Sequence, residues 1–204
     1  MPENHLKVRP LVGGIRIVTH SKIGTLGLVV MYEGDKCFVT AGHVFGAKDK
    51  KVGQPDDAHV VGELRENFLH ADTPQDIALV SIAPGVEAAL NQIWTNQGTR
   101  TVQFGASVLP GRGSRVWLEG MASGTLTGTV LEPDVDITVP ETNEVARNVV
   151  LVEFDNGIQT QDGDSGAPVV GEGTEICFGV YGGRVKHDGK YCGWFTPFDN
   201  LVWD

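Results

Sequence analysis

Three short islands carry side chains suited to acyl transfer: Thr40-Ala41-Gly42-His43, Asp76-Ile77-Ala78-Leu79-Val80, and Gly163-Asp164-Ser165-Gly166-Ala167-Pro168-Val169. A serine hydroxyl is a weak nucleophile at neutral pH and needs a base within hydrogen-bond reach and a group to orient that base. His43 is the candidate base, because imidazole titrates near neutrality. Asp76 is the candidate orienting carboxylate and Ser165 the candidate nucleophile. Gly163 beside Ser165 suits a sharp turn in which the N–H groups of Gly163 and Ser165 point at a developing oxyanion. Chemistry of this kind requires no metal and no cofactor.

Each island has a plain reading when taken alone. A lone histidine is usually a satisfied interior residue, an aspartate before a strand can cap a turn, and Gly-Asp-Ser-Gly is rich in turn formers. Their joint occurrence in the chain order His, Asp, Ser favours the catalytic reading. The remaining histidines, His5, His20, His59, His70 and His187, lack the spacing of metal ligands. Gly111-Arg112-Gly113 is too sparse for a phosphate loop. Asp56-Asp57 and Asp134/Asp136 read as solvated loop acids.

Positioning these groups falls to short strands. Residues 1–10 are polar, end in Arg9-Pro10, and read as a loose arm. Strand-like runs follow at 15–18, 27–32, 37–40, 59–61 and 76–82, separated by turn formers such as Glu33-Gly34-Asp35. Residues 86–94 are predicted helical and lead into a linker at 95–98. Strands resume at 115–119, 126–131, 149–154, 167–170, 176–181 and 191–196, and the Pro- and acid-rich stretch 131–148 reads as a surface excursion. Two all-β halves emerge, 11–95 with His43 and Asp76 and 96–204 with Ser165. A pair of barrels or of sandwiches fits that spacing.

The 204 residues are 41% hydrophobic, enough for one or two cores, and the 27 glycines fall mostly between apolar runs. The longest apolar stretch, 26–32, is strand-sized, which argues against a membrane partner. A formal charge of -10 and a pI near 5.0 argue against a nucleic-acid partner. Cys37, Cys177 and Cys192 are too few for a disulfide framework; a Cys177–Cys192 bridge stays open, but buried free thiols in a reducing compartment are the expectation. The N-terminal residues lack a basic-then-apolar leader, which agrees with a cytoplasmic location.

The islands resemble those of the trypsin/chymotrypsin family of serine peptidases, bacterial branch. Leu11-Val12-Gly13-Gly14 resembles the family's mature N-terminus. The segment Gly120 to Gly128 resembles a glycine-punctuated strand pair, and Gly193-Trp194-Phe195-Thr196 with Leu201-Val202-Trp203 resembles its last strand and closing helix. The resemblance implies an all-β fold of two six-stranded antiparallel barrels with a short C-terminal helix. It implies a serine endopeptidase with peptide or protein substrates, working through the triad His43, Asp76, Ser165 and an acyl-enzyme. It also implies a specificity pocket floored by Gln159, six residues before Ser165, with a substrate-pairing strand through Val180 and Tyr181. Gly182, Gly183 and Gly193 would be small walls leaving room for a sizeable side chain, and Arg184 would sit near the mouth. A neutral floor does not fit a preference for Lys or Arg.

Two positions depart from the family pattern. Tyr181 precedes Gly182 where many members have a serine that bonds the triad aspartate. Asp164 lacks an obvious cation, since Met121 stands where some bacterial members place an arginine. The resemblance therefore leaves three readings: an active peptidase, a latent or weak peptide-binding protein on the same fold, and an esterase for small molecules.

Overall fold

The computed structural model describes residues 5–200. Strand β1 (Leu11–Gly13) opens the described fold, and β2 (Arg16–Val18), β3 (Ile23–Thr25), β4 (Leu28–Tyr32), β5 (Asp35–Thr40), β6 (Lys51–Gly53), β7 (Val60–Asn67) and β8 (Ala78–Ile82) follow. The last seven pair in the order β3-β2-β6-β7-β8-β5-β4. The outer strands of this sheet, β3 and β4, are one chain run broken only at Leu26-Gly27. A single strand thus turns a corner and closes six runs into a barrel.

After β9 (Ala88–Thr95), β10 (Gly98–Thr101) and β11 (Gln103–Phe104) come β12 (Arg115–Gly120), β13 (Gly124–Thr138), β14 (Val145–Phe154), β15 (Pro168–Gly171), β16 (Ile176–His187) and β17 (Lys190–Pro197). Strands β16-β15-β12-β13-β14-β17 form a ring, because β17 pairs back onto β16, and β11 adds to β16 in parallel. The expected pair of six-stranded antiparallel barrels is thus present. The C-terminal helix expected at 201–203 lies outside the described residues.

Burial joins the barrels. Leu28, Val39 and Leu79 from the first pack in one cluster with Trp117, Val170, Val180 and Phe198 from the second. Inner cores of Ile15, Ile17 and Phe38 in one barrel and Leu118, Val150 and Phe195 in the other flank that layer.

Three local expectations are corrected. Residues 86–94 are not helical: β9 occupies 88–95, pairing in parallel with β1 and antiparallel with β10. Its Ala, Leu and Gln residues favour a helix, but burial of Ile93 and the backbone bonds of two neighbours override that weak preference. The presumed linker is the tight β9–β10 turn, closed by Thr95 Oγ1 donating to the Gly98 carbonyl at 2.7 Å. The stretch 131–148 is mostly the two-stranded arm of β13 and β14, whose Ile137 and Ala146, with Val139 just past β13, are buried in one cluster with Leu69 and Trp194. The described part of the N-terminal arm is tied down rather than loose. Buried Gln54 accepts from Val8 N at 3.1 Å and Arg9 Nη1 at 2.6 Å, and donates to the Leu6 carbonyl at 2.6 Å.

Candidate active site

The register of β5 against β8 pairs Thr40 with Ala78. The residues just after Thr40 and just before Ala78 therefore meet at one end of the first barrel. There a single 3-10 turn, Gly42–Val44, carries His43, and Asn67 Nδ2 bonds the Gly42 carbonyl at 3.0 Å. His43 is 2% exposed and Asp76 0%, so their pairing is shielded from water. Asp76 Oδ2 lies 2.7 Å from His43 Nδ1, and Asp76 Oδ1 accepts the His43 backbone N–H at 2.7 Å. The carboxylate thereby fixes both ring and backbone of the histidine. It also favours the tautomer with the proton on Nδ1, leaving Nε2 as acceptor. The phenol of Tyr181, by contrast, bonds Thr160 Oγ1 at 2.7 Å. Tyr181 thus gives Asp76 no bond, and the carboxylate is held by the ring and the main-chain N–H of His43.

Ser165 comes from the second barrel, in the turn before β15. Its Oγ is 2.9 Å from His43 Nε2 and 3.1 Å from the Gly182 carbonyl oxygen. Thr25 at the end of β3 holds this turn against the first barrel. Its N–H donates to the Ser165 carbonyl and its Oγ1 to the Gly163 carbonyl, each at 2.8 Å, and its Oγ1 accepts Met121 N at 3.1 Å. Gly163 has φ +103, a conformation that a side chain would strain. Among the described residues the N–H groups of Gly163 and Ser165 have no protein acceptor and are free for a ligand oxygen.

Burial works to lower the His43 pKa, but the charge and hydrogen bond of Asp76, helped by Glu141, outweigh it and hold the pKa above its ordinary value.

Asp164 is fully buried, and among the described residues its partners are hydrogen-bond donors rather than a cation. Its Oδ1 accepts Ala122 N and Ser123 N, each at 3.0 Å, and its Oδ2 accepts Ser123 Oγ at 2.5 Å and Gln161 N at 2.8 Å. The Met121-Ala122-Ser123 turn between β12 and β13 thus does what a basic side chain does elsewhere, presenting N–H dipoles to a carboxylate. A Cβ on Gly120 would stand 2.2 Å from Asp164 Oδ1, so only glycine admits the approach.

The expected pocket residues do not form one cavity with the triad. His43 and Ser165 line an opening of about 790 Å3. Gln159 is exposed and lines a different cavity, of about 340 Å3, with Thr160, Arg184 and Gly193. Space beside two of the glycine walls is filled. A Cβ on Gly193 would lie 2.5 Å from the Phe154 ring and 2.9 Å from the Tyr181 ring, and one on Gly182 would lie 2.1 Å from the Trp194 ring. Gly183 alone of the three faces looser surroundings, with Glu141 Oε1 4.0 Å from its ideal Cβ. Arg184 pairs with Asp162 at 3.3 Å. Cys37, Cys177 and Cys192 are buried and free.

Two closed six-stranded barrels, with the His43 and Ser165 turns meeting between them, define the chymotrypsin type of fold. The sequence profile described as Trypsin matches residues 27–203, and the chain belongs to the trypsin family of serine proteases. Protease A of Thermobifida fusca is similar in structure, with 20% identity, a TM-score of 0.74, and coverage of 93% of this chain and 92% of that one. The chymotrypsin of Cellulomonas bogoriensis shows 22% identity, a TM-score of 0.69, and coverage of 91% and 90%. A serine protease described as glutamic acid specific, using a histidine triad in substrate binding, shows 19% identity, a TM-score of 0.75, and coverage of 92% and 93%. No curated protein matches the chain by sequence.

Proposed function

We propose that this chain is a serine endopeptidase whose catalytic residues are His43, Asp76 and Ser165. The observation that carries the reading is the unbroken line from Asp76 Oδ2 through both ring nitrogens of His43 to Ser165 Oγ, with steps of 2.7 and 2.9 Å. In this reading Ser165 Oγ attacks the scissile carbonyl as His43 Nε2 takes its proton. The N–H groups of Gly163 and Ser165 stabilise the oxyanion. His43 then protonates the departing amine, and water hydrolyses the acyl-enzyme by the same path in reverse. The raised His43 pKa suits a base that must hold a proton briefly.

Substrate backbone would add as a strand along Gly182 and Gly183 of β16 rather than along Val180 and Tyr181, because Val180 pairs with Pro168 on one side and Thr196 on the other, and the Tyr181 N–H and carbonyl already bond Ala167 and Gly166. The filled space beside Gly193 favours a small side chain at the residue whose carbonyl is attacked, because the Tyr181 and Phe154 rings stand where a large one would go. The latent reading depended on an uncompensated Asp164, and the four donors around that carboxylate favour a standing oxyanion loop instead. Digestion of a mixed peptide pool, followed by sequencing of the new termini, tests both activity and side-chain size. Cuts after Ala, Gly or Ser that vanish in Ser165→Ala support the reading. Ester turnover with no peptide cut would replace it with an esterase.

A further inference from the structure

The cavity at Ser165 has walls of opposite charge. Arg16, His20 and Lys22 line it from the β2–β3 hairpin, and Glu141 and Asp162 line it from the second barrel. Asp162 pairs with Arg184 at 3.3 Å, and Glu141 stands by Gly183 of β16. The cations of the hairpin are not so neutralised. Six of the eight arginines in the chain make ion pairs, and Arg9 bonds Gln54. Arg16 is half-buried, its Nε is covered and without an acceptor, and among the described residues its side chain has no partner. Lys22 Nζ donates once, to the His43 carbonyl at 2.8 Å, which leaves two of its three donors.

An arginine partly withdrawn from water with no acceptor is unfavourable, and a carboxylate ligand would relieve it. The chain carries 26 acidic residues against 16 Lys and Arg, yet none of the described acids pairs with Arg16. The cationic character also continues outward. Val18 and His20 line a neighbouring cavity of about 430 Å3 together with Lys48, Lys50 and Lys51, and among the described residues those lysines make no ion pair. Asp57 shares that cavity, while the other acid there, Asp49, accepts Gly46 N at 2.9 Å.

Orientation follows from the backbone. The Gly182 carbonyl touches Ser165 Oγ from the β16 side, where the acyl half of a substrate would lie. The β3 end borders Ser165 through Thr25 N, and the β2–β3 hairpin lines the Ser165 cavity, which no residue of β16 lines. The leaving half would therefore run over the β2–β3 hairpin.

We propose that Arg16 and Lys22 form a cationic subsite that binds an Asp or Glu side chain one to three residues after the scissile bond. This rests on the serine-peptidase reading. Paired peptides carrying Glu or Gln at those positions test it. The wild-type chain is expected to cleave the Glu member with a kcat/KM about tenfold higher at low salt, and the ratio should shrink toward one near about 0.5 M salt. Arg16→Gln should bring the low-salt ratio below about twofold, and Arg16→Lys should restore part of it. A wild-type ratio near one at low salt overturns the proposal, as does an Arg16→Gln ratio equal to that of wild type. If Arg16→Gln does not fold, the salt dependence of the wild-type ratio decides.

Fluorophosphonate labelling separates the two claims. A chain that labels and cuts without acid preference refutes only the subsite. A chain that neither labels nor cuts refutes the peptidase reading, and binding of the same peptides to Ser165→Ala then decides the subsite. Tighter binding of the Glu peptide supports it, and equal binding overturns it.

Discussion

Removal of the Ser123 hydroxyl tests how the oxyanion loop is held. Ser123 Oγ donates to Asp164 Oδ2 at 2.5 Å and accepts Gln161 N at 3.1 Å. Ser123→Ala deletes one of the four donors that the described residues give this fully buried carboxylate and leaves the three backbone N–H groups in place. A hydrogen bond to a charged group contributes about 1.5–3 kcal/mol. With three donors remaining, a loss of about 2 kcal/mol is expected, or about 4–8 °C in Tm for a chain of this size. Asp164 lies between Gly163 and Ser165, so a loosened carboxylate loosens the two N–H groups that would meet the oxyanion. That interaction strengthens in the transition state, so kcat should fall by about tenfold with little change in KM. Thermal unfolding and steady-state kinetics on one small peptide read both effects, and Ser123→Thr should rescue most of each. A Tm within about 1 °C of wild type with unchanged kcat would refute the claim that this hydroxyl holds the loop.

Other perturbations follow from the same geometry. Burial, opposed by the Thr125 bond and aided by the Asp164 charge, lifts the Glu119 carboxyl to about 7. Its ordinary value is 4.5, so the folded state binds the extra proton between those limits and loses stability as pH rises through them. Glu119→Gln should therefore raise Tm relative to wild type at pH values above that window and not below it; an equal shift on both sides contradicts the assignment. Glu141 helps raise the His43 pKa, so Glu141→Gln should move the acid limb of the kcat/KM profile to lower pH at low salt, and an unmoved limb rejects the coupling. Tyr181→Val should open the space beside Gly193 and raise the Leu-to-Ala preference at the attacked residue by at least about tenfold, read on paired substrates; an unchanged ratio places the size limit elsewhere.

The catalytic candidates were legible because their chemistry restricts residue type within short islands. His43, Asp76 and Ser165 come from three distant segments, yet each stands beside strand-like sequence whose pairing brings it in. Barrel strands were legible for a related reason: short apolar runs between turn formers have few other uses. What stayed hidden depends on partners that leave no mark on residue type. Backbone N–H groups hold Asp164, and any sequence can offer those; only Ser123, beside a glycine-punctuated turn, was a visible signal. The strand at 88–95 carries helix-favouring residues that pairing overrides. Gln159 stood at the family's pocket position, but it is exposed, and the space beside Gly193 is filled by how Tyr181 and Phe154 pack, which residue type does not reveal. The grouping of Arg16 with Lys22 at the cavity arises only when β2 and β3 curl toward Ser165.

The most direct test of the account is covalent labelling of the intact chain with a fluorophosphonate, followed by mass mapping of the modified residue. The account predicts attachment at Ser165 alone, abolished in Ser165→Ala and strongly slowed in His43→Ala. Absence of labelling across neutral pH, or attachment at another serine, would contradict it.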